Sequence, residues 1–365
     1  MIGFIGSRRG DHRAGMFLDA AMLALAALLL SAPTASAHPF HYVTHEIGEV
    51  DYWPRWSPDG KTILFSRCDI STGCGGAVAT ESTVWNLFIV SSRGGRATEF
   101  LDPGLIDGAS ATRSDWLWTP DLSIATPIVF TGVQSPNGGV AGIYVVDADG
   151  EAPMKLPKED SIPDGYPSWY PDGSAVAVEG QPTGFSGPFI DLVGVPDGTL
   201  LETETSTDQI WTGEAAISRD GVMLAFAGQA PVAGSQYSDD QNQIWIQYLI
   251  PADTDPADFD TGLHQLDPLQ ARTPDWSPND RFLTFESRRG CLSGNYAIFI
   301  EAASTGKATQ VTDCRLNANH AVWSPDGRRF AFSAEFFTPP SVCATGCRGI
   351  AVAPVPAQIL KLGTK

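Results

Sequence analysis

The sequence predicts an all-β protein, a six-bladed β-propeller of four-stranded antiparallel blades. Three observations lead to this prediction. A short turn motif recurs six times at intervals of about 50 residues. A β-rich run follows each copy, and two further short runs complete each unit. A four-stranded unit of this length cannot bury both faces of its sheet alone and stacks around an axis with its neighbours.

The repeated motif reads Trp56-Ser57-Pro58-Asp59-Gly60 in its most complete form. Serine, proline, aspartate and glycine in this order suit a tight turn, in which proline presets φ and glycine accepts a positive φ. Each copy is therefore predicted to join two strands. The other five copies are Trp118-Thr119-Pro120-Asp121, Trp169-Tyr170-Pro171-Asp172-Gly173, Ile217-Ser218-Arg219-Asp220-Gly221, Trp276-Ser277-Pro278-Asn279-Asp280 and Trp323-Ser324-Pro325-Asp326-Gly327.

Short runs rich in β-branched and aromatic residues follow the turns and predict the second and third strands of each unit. The second strands are predicted at 62–66, 174–178, 223–226, 282–285 and 329–333. The third strands are predicted at 85–90, 142–146, 189–193, 244–249, 296–300 and 349–353. A weaker fourth run, such as Ala308-Thr309-Gln310-Val311-Thr312, completes a meander.

These turns resemble the TolB-like β-propeller repeat, also called the PD40 or WD40-like repeat. The resemblance covers nearly all of the chain after residue 37 and implies the propeller fold. Its motif lies in a structural turn, and such blades occur in binding proteins, in peptidase accessory domains and in some lyases. TolB carries an α/β domain ahead of its propeller, whereas the first turn here follows about twenty residues after residue 37. We therefore do not assign TolB's role to this chain.

Residues 1–37 are predicted to be an export signal peptide, and residues 38–365 the propeller. Three arginines precede an apolar core from Ala20 to Leu30, and Ala35-Ser36-Ala37 forms a small-residue cleavage site. The apolar run is too short to span a bilayer. We expect an exported protein, periplasmic or extracellular, with no membrane insertion.

The formal net charge of −19 bears on the partners of the protein. Such an acidic protein repels phosphate backbones and anionic lipid surfaces. We therefore expect no nucleic acid, and a protein or peptide as the partner. The sequence does not fix the oligomeric state.

The six cysteines are predicted to form three local disulfides. In a four-stranded blade, the loop from the second to the third strand and the loop to the next blade lie on one side, and all six fall in such loops. An even cysteine count in an oxidising compartment favours disulfides over a zinc site with the nearby His320. The expected pairs are Cys68 with Cys74, Cys291 with Cys314 and Cys343 with Cys347.

Two segments compete for the outer place of the last blade. His41–Glu46 aligns with Ala308–Asp313 relative to the next turn, so it resembles a fourth strand lent to the last blade, which would close the ring. Gln358–Leu362 also resembles a fourth strand. The sequence leaves this choice open.

No metal or cofactor is expected, although three groups of residues contain side chains that can bind metal ions. His38, His41 and His45 could bind copper or zinc, but an exposed terminal strand explains them as well. Asp147-Ala148-Asp149-Gly150 resembles a calcium loop but stands where a turn is expected. Calcium could also bind the acidic loop with Asp253, Asp255, Asp258 and Asp260, for which a solvated loop is the alternative.

The mouth of the central channel, on the side that carries the cysteines, is the predicted binding site. The residue five positions before each turn proline, or its equivalent, gives one row around that mouth. Its types vary from blade to blade, as a specific site on a symmetric scaffold requires. The row is Trp53, Asp115, Tyr166, Glu214, Thr273 and His320, with Arg55 and Arg272 beside it.

We expect a non-enzymatic module that binds a protein or peptide at this mouth. The sequence has no Gly-x-Ser-x-Gly elbow, no phosphate-binding glycine loop and no His-Glu-x-x-His helix. The alternative is a propeller polysaccharide lyase or glycosidase, with His320, Asp115 and Glu214 as acid or base. A third interpretation is a structural component of an envelope complex.

Overall fold

The residues described below all belong to one unit within Ala37–Lys365. The predicted signal peptide therefore lies outside the described residues and stays a prediction. The computed structural model describes residues 39–72, 74, 83–118, 126–136, 139, 141–157, 161–182, 189–203, 211–229, 241–249, 264–266, 270–292, 294–304, 307–336 and 347–362.

Five strands open the described chain. After a two-residue strand β1, strands β2 to β5 form an antiparallel meander in chain order. A 3-10 helix at Ile70–Thr72 follows β3, and another at Pro103–Ile106 follows β5. The strands are β1 (His41–Tyr42), β2 (Glu49–Trp56), β3 (Thr62–Asp69), β4 (Asn86–Ser91) and β5 (Thr98–Glu99).

The next sixteen strands form four separate blades, each a four-stranded antiparallel sheet with its strands in chain order. The first two blades are β6 (Ser110–Trp116), β7 (Ile128–Val133), β8 (Gly142–Val146) and β9 (Met154–Lys155), then β10 (Ser161–Trp169), β11 (Ala175–Pro182), β12 (Phe189–Gly194) and β13 (Leu200–Thr203). The other two are β14 (Trp211–Ile217), β15 (Met223–Gln229), β16 (Gln243–Tyr248) and β17 (His264–Gln265), then β18 (Ala271–Trp276), β19 (Phe282–Ser287), β20 (Ala297–Ala302) and β21 (Ala308–Gln310).

Three more strands and a short helix follow. A 3-10 helix at Cys314–Leu316 leads from β21 to the last three strands. These pair in chain order, and β24 also pairs with β1 on its outer edge and with β2 through one parallel bridge, Val50 to Arg348. The elements are β22 (Asn319–Trp323), β23 (Arg329–Glu335), β24 (Arg348–Pro354) and helix α1 (Ala357–Leu362).

The prediction of an all-β propeller with four-stranded antiparallel sheets is confirmed. The six separate blades of the prediction are not observed, because the structure has four separate blades and one eight-stranded sheet. This joined sheet arises where the parallel bridge links the meander β2 to β5 with strands β22 to β24 and β1. The first strands β2, β6, β10, β14, β18 and β22 contact one another in sequence, and β22 also contacts β2, which closes a ring.

The N-terminal segment takes the outer place that the sequence left open. His41 pairs with Val352 and Tyr42 with Ala351, both in antiparallel register. The alternative of a strand at Gln358–Leu362 is wrong, because these residues belong to α1. Pro356 directly precedes the helix, and its carbonyl accepts from the N–H groups of Ile359 and Leu360.

The turn motif includes a tryptophan that bonds to the neighbouring unit. In its first copy, the Ser57 hydroxyl donates to Asp59 and accepts from the N–H of Thr62, while Gly60 has a φ of 67°. The indole of Trp56 donates to the carbonyl of Val322 in the neighbouring unit. The tryptophan that the sequence singled out therefore stabilises the packing between units, while the turn is stabilised by its own hydrogen bonds.

Two of the three predicted disulfides join described cysteines. Cys68 is bonded to Cys74 and Cys291 to Cys314, with Cα–Cα distances of 6.2 and 5.5 Å. Cys347 is also disulfide-bonded. Cys343 lies outside the described residues, so its pairing with Cys347 stays a prediction. Among the described residues, no helix has the length and apolar character needed to cross a membrane.

Candidate functional site in the central channel

A β-bulge interrupts each first strand at the same place and defines the channel wall. The pairing register shifts there in all six strands, and the first bulged residue takes a positive φ. Bulges re-aim side chains and leave backbone groups unpaired. The six bulged residues, which we call the bulge ring, are Trp53, Arg113, Tyr166, Glu214, Thr273 and His320.

The structure corrects one member of the predicted row. Asp115 pairs with Val129 as Arg55 pairs with Leu64, so Asp115 is the counterpart of Arg55 and lies two residues beyond the ring. Its predicted place is taken by Arg113. The reason is that β6 ends at Trp116, whereas the tryptophan of the turn motif is Trp118, two residues later. Counting back from the turn proline is therefore shifted by two residues in this unit. The other five members lie in the ring as the spacing predicts.

The ring is packed rather than open to solvent. Trp53 is 3% exposed, His320 4% and Glu214 7%. The Arg113 guanidinium stacks between Trp53 and Tyr166, with its carbon 5.3 and 4.6 Å from the two ring centroids. The ring encloses a cavity of about 20 Å³. Since a water molecule needs about 10–15 Å³, this space holds one water and no sugar or peptide.

Three glutamates, of which Glu214 and Glu286 are buried, satisfy backbone N–H groups that the bulges leave unpaired. The carboxylates of Glu179, Glu214 and Glu286 accept from the N–H groups of the ring residue in the next unit, at 3.0, 2.7 and 2.6 Å. The recipients are Glu214, Thr273 and His320. Because an unpaired buried N–H costs about 1–3 kcal/mol, these carboxylates stabilise the channel wall.

A second layer of charge lies two residues further along the first strands. Arg55 and Asp115 form an ion pair of 3.3 Å. Asp115 also accepts from the N–H of Trp169, and Asp275 accepts from that of Trp323. Burial raises the pKa of Asp275, although the charges of Arg55 and Arg219 work against this. A second cavity in this layer also measures about 20 Å³.

His320 is neutral at physiological pH. Burial chiefly, together with the charges of Arg272, Arg348 and Arg55, lowers the pKa of the imidazole to about 3, while the charge of Glu286 works in the other direction. A general acid or base works best with a pKa near the operating pH. The imidazole is therefore poorly suited to proton transfer in this environment.

Arg272 precedes Thr273 of the bulge ring and contacts two residues of its own blade. Its Nε donates to Glu286 at 2.6 Å, and its guanidinium stacks on Tyr296, with 4.4 Å between guanidinium carbon and ring centroid. Burial works to raise the pKa of Glu286, but the charge of Arg272 and the hydrogen bonds from Arg272 and from the His320 N–H outweigh it and lower that pKa. The pair holds the acceptor for the His320 N–H in place.

The structure describes only part of the three groups of residues that could bind metal ions. His41 and His45 are exposed, and His38 lies outside the described residues, as do all four aspartates between 253 and 260. Asp147–Gly150 forms the expected turn, in which the N–H of Gly150 donates to the carbonyl of Asp147. Within the described ranges, no three His, Cys, Asp or Glu side chains are grouped so as to hold a metal ion.

Sequence reasoning missed Arg113, Glu179, Glu286 and Asp275. Glu179 and Glu286 stand at equivalent points of second strands that are mostly apolar, opposite Gly165 and Arg272. A single acidic residue in a buried strand signals an acceptor for nearby backbone donors. That signal was present in the sequence.

The sequence matches no family model and no curated protein. Solved structures that it resembles include TolB from Acinetobacter baumannii, at 18% identity and a TM-score of 0.38, covering 57% of this chain and 48% of that one. The chain thus spans about half of that protein's length. A putative TolB from Agrobacterium tumefaciens is 15% identical, with a TM-score of 0.41 and coverages of 85% and 91%. An oligogalacturonate lyase from Vibrio parahaemolyticus is 11% identical, with a TM-score of 0.48 and coverages of 89% and 96%. These similarities concern the fold alone, which rests on the strand pairings.

Proposed function

We propose that the protein is an exported, six-bladed propeller that binds a protein or peptide through the face that carries its disulfides. This disulfide face consists of the loops from second to third strands and the connections from one unit to the next. The two observed disulfides are consistent with an oxidising compartment. Binding at this face places the partner over the channel mouth.

The six blades of this proposal follow from dividing the joined sheet in two. One half is the meander β2 to β5, and the other is β22 to β24 with β1 as its outer strand. A single parallel bridge links the halves, whereas the strands within each half pair antiparallel over several residues. Each half also repeats the bulge and the turn motif of the separate blades.

One observation carries the proposal: the side chains that an enzyme would need as acid or base already have structural roles. A lyase or glycosidase reaction would depend on Asp115, Glu214 and His320. The two carboxylates each accept a backbone N–H of the next unit, and the imidazole is buried and neutral. These roles favour a binding module over the enzyme.

Three exposed aliphatic side chains on the disulfide face support the choice of surface. Ile47 precedes β2, Leu105 lies in the connection to β6, and Leu292 lies in the loop after β19, with exposures of 66%, 47% and 105%. Exposed aliphatic side chains on one face are suited to contact with a partner. The predicted site residues then form the rigid floor beneath the partner: Trp53, Arg55, Asp115, Tyr166, Glu214, Arg272, Thr273 and His320.

The test selects peptides from a displayed library by their binding to the protein without residues 1–37. Their affinity is then measured for this protein, for its Leu292→Glu variant and for its Val222→Glu variant. Leu292→Glu should weaken binding at least tenfold. Val222→Glu is the matched control, because Val222 is 47% exposed in the β14–β15 turn on the opposite face. Equal affinity of the two variants would refute the proposed surface. Turnover of oligogalacturonate or another oligosaccharide, with or without divalent cations, would instead favour the enzyme.

A further inference from the structure

Three side chains that line the cavity of the bulge ring carry polar atoms whose hydrogen bonds are not made by the protein. Thr273 is 9% exposed and thus buried, like Trp53 and His320. Nothing in the described part of the chain forms a hydrogen bond with Nε1 of Trp53, Oγ1 of Thr273 or either ring nitrogen of His320. Proteins pair nearly all buried polar groups, because leaving them unpaired is costly. Four such atoms around one cavity therefore indicate a bound polar molecule.

The size and charge of the cavity restrict what this molecule is. The volume of about 20 Å³ is enough for one water, which needs about 10–15 Å³, and too small for an organic ligand. The described lining has one cation, Arg55, and one anion, Glu214, whose formal charges cancel. Arg55 is paired with Asp115, and Glu214 accepts from the N–H of Thr273. A neutral occupant matches this lining.

The donors and acceptors of the three side chains match those of water. The indole N–H of Trp53 only donates, whereas the hydroxyl of Thr273 donates and accepts. A carboxylate oxygen of Glu286 lies 3.5 Å from Nδ1 of His320, which favours the proton on that nitrogen and leaves Nε2 as an acceptor. Water accepts through its oxygen and donates two protons, and a buried water typically makes about three hydrogen bonds.

The three side chains come from consecutive units at the place where the ring closes. Thr273 belongs to β18, His320 to β22 and Trp53 to β2, and these strands contact one another in that order. The first and last units share only one parallel bridge between their sheets. A molecule bound to Trp53 and His320 therefore adds a link between these two units on the channel side.

We propose that the cavity of the bulge ring is the binding site of one structural water. This water accepts from Nε1–H of Trp53 and donates to Oγ1 of Thr273 and to Nε2 of His320. It fixes the orientation of the imidazole and stabilises the closure of the ring from within the channel. The site does not depend on the partner proposed above for the disulfide face.

An atomic-resolution crystal structure of the whole chain tests this site. It should show one density peak at hydrogen-bond distance, about 2.7–3.2 Å, from all three atoms. Thr273→Val replaces the hydroxyl with a methyl group of the same shape and should lower the occupancy of that peak about twofold or more. Thr131→Val is the matched control and should leave the peak unchanged. Thr131 is also buried and its hydroxyl also lacks a partner in the described part of the chain, but it does not line the cavity.

A wild-type cavity without a peak, or a peak with the anomalous signal of an ion, would overturn the proposal. An unchanged peak in Thr273→Val would do the same. Thermal melts give a second readout: Thr273→Val should melt at a lower temperature than Thr131→Val, because only the first loses a hydrogen bond, and equal melting temperatures would contradict the site. Should Thr273→Val fail to fold, the wild-type density decides between the two outcomes.

Discussion

The carboxylate of Asp280 accepts a hydrogen bond of 2.7 Å from the backbone N–H of Arg219, in the turn of the neighbouring blade. Both residues depart from the repeat. Arg219 replaces the proline, which would have no N–H, and Asp280 replaces the glycine and keeps its positive φ, at 55°. The two departures therefore compensate each other across the interface between blades.

A double-mutant cycle tests this compensation. Arg219→Pro removes the donor and Asp280→Gly removes the acceptor, while the double variant restores the repeat at both places. We expect a coupling energy of about 1.5–3 kcal/mol, typical of a hydrogen bond to a charged group. Urea unfolding of the four proteins measures it. Additive losses would show that the two residues act independently.

The buried imidazole of His320 should make stability depend on pH. Its pKa falls from 6.5 to about 3 on folding, so between these values the unfolded chain binds the extra proton. Stability is then fully present above about pH 6.5 and is lost as the pH falls towards 3, at up to about 1.4 kcal/mol per pH unit. In His320→Asn, the asparagine tolerates the positive φ at this position, and the titrating imidazole is removed. Its unfolding free energy should fall less steeply across this window.

The control for the histidine experiment is His41→Asn, at an exposed position of β1. Chemical unfolding at several pH values between 3 and 8 gives the slope of the unfolding free energy against pH for each protein. Parallel curves for the wild type and His320→Asn would contradict the assignment.

A buried ion pair should stabilise the junction of the two chain ends. Asp51 accepts from Nε and Nη2 of Arg67 at 2.7 and 2.8 Å, and the Thr44 hydroxyl links it to the N–H of Ile350 in β24. Arg67→Met leaves the carboxylate buried without its partner, which should cost about 3–5 kcal/mol. Adding Asp51→Leu should recover part of that loss.

The matched control for the ion pair is Lys61→Met, since the pair of Lys61 with Asp59 is exposed. Its melting temperature should stay close to that of the wild type. An Arg67→Met variant as stable as this control would show that the pair contributes nothing to ring closure.

The two observed disulfides should contribute unequally. Cys291 and Cys314 are 23 residues apart and Cys68 and Cys74 only 6, so the first closes a longer loop in the unfolded chain. Replacing each pair with serine should cost about 3 and about 2 kcal/mol respectively. Denaturant unfolding of both variants measures this order, and the reverse order would contradict the loop-entropy argument.

Much of the fold follows from local patterns. The third strands at Gly142–Val146 and Phe189–Gly194 begin where the apolar runs predicted, because alternation and turn residues act over a few positions. The helix at Ala357–Leu362 escaped prediction since a short apolar segment fits either structure, and packing of Ile359 decides between them. Whether eight strands form one sheet or two depends on a single bridge between the chain ends, which local sequence does not encode.

The site was harder to predict than the fold. Spacing placed Trp53 and His320 in one ring, but it misplaced Asp115 because two extra residues in a turn shift the count. Spacing also could not reveal burial. Those side chains fill the channel, since the bulges point them at each other across a narrow axis. Of the carboxylates that chemistry would favour as catalysts, Glu214 accepts from the bulged Thr273 and Asp115 accepts from the N–H of Trp169.

Hydrogen–deuterium exchange of the protein with and without a selected peptide tests the central claim most directly. The account predicts protection in the loops of the disulfide face, around 47, 105 and 292, with no change in the turns at 57–60 and 324–327. Protection confined to those turns would contradict it.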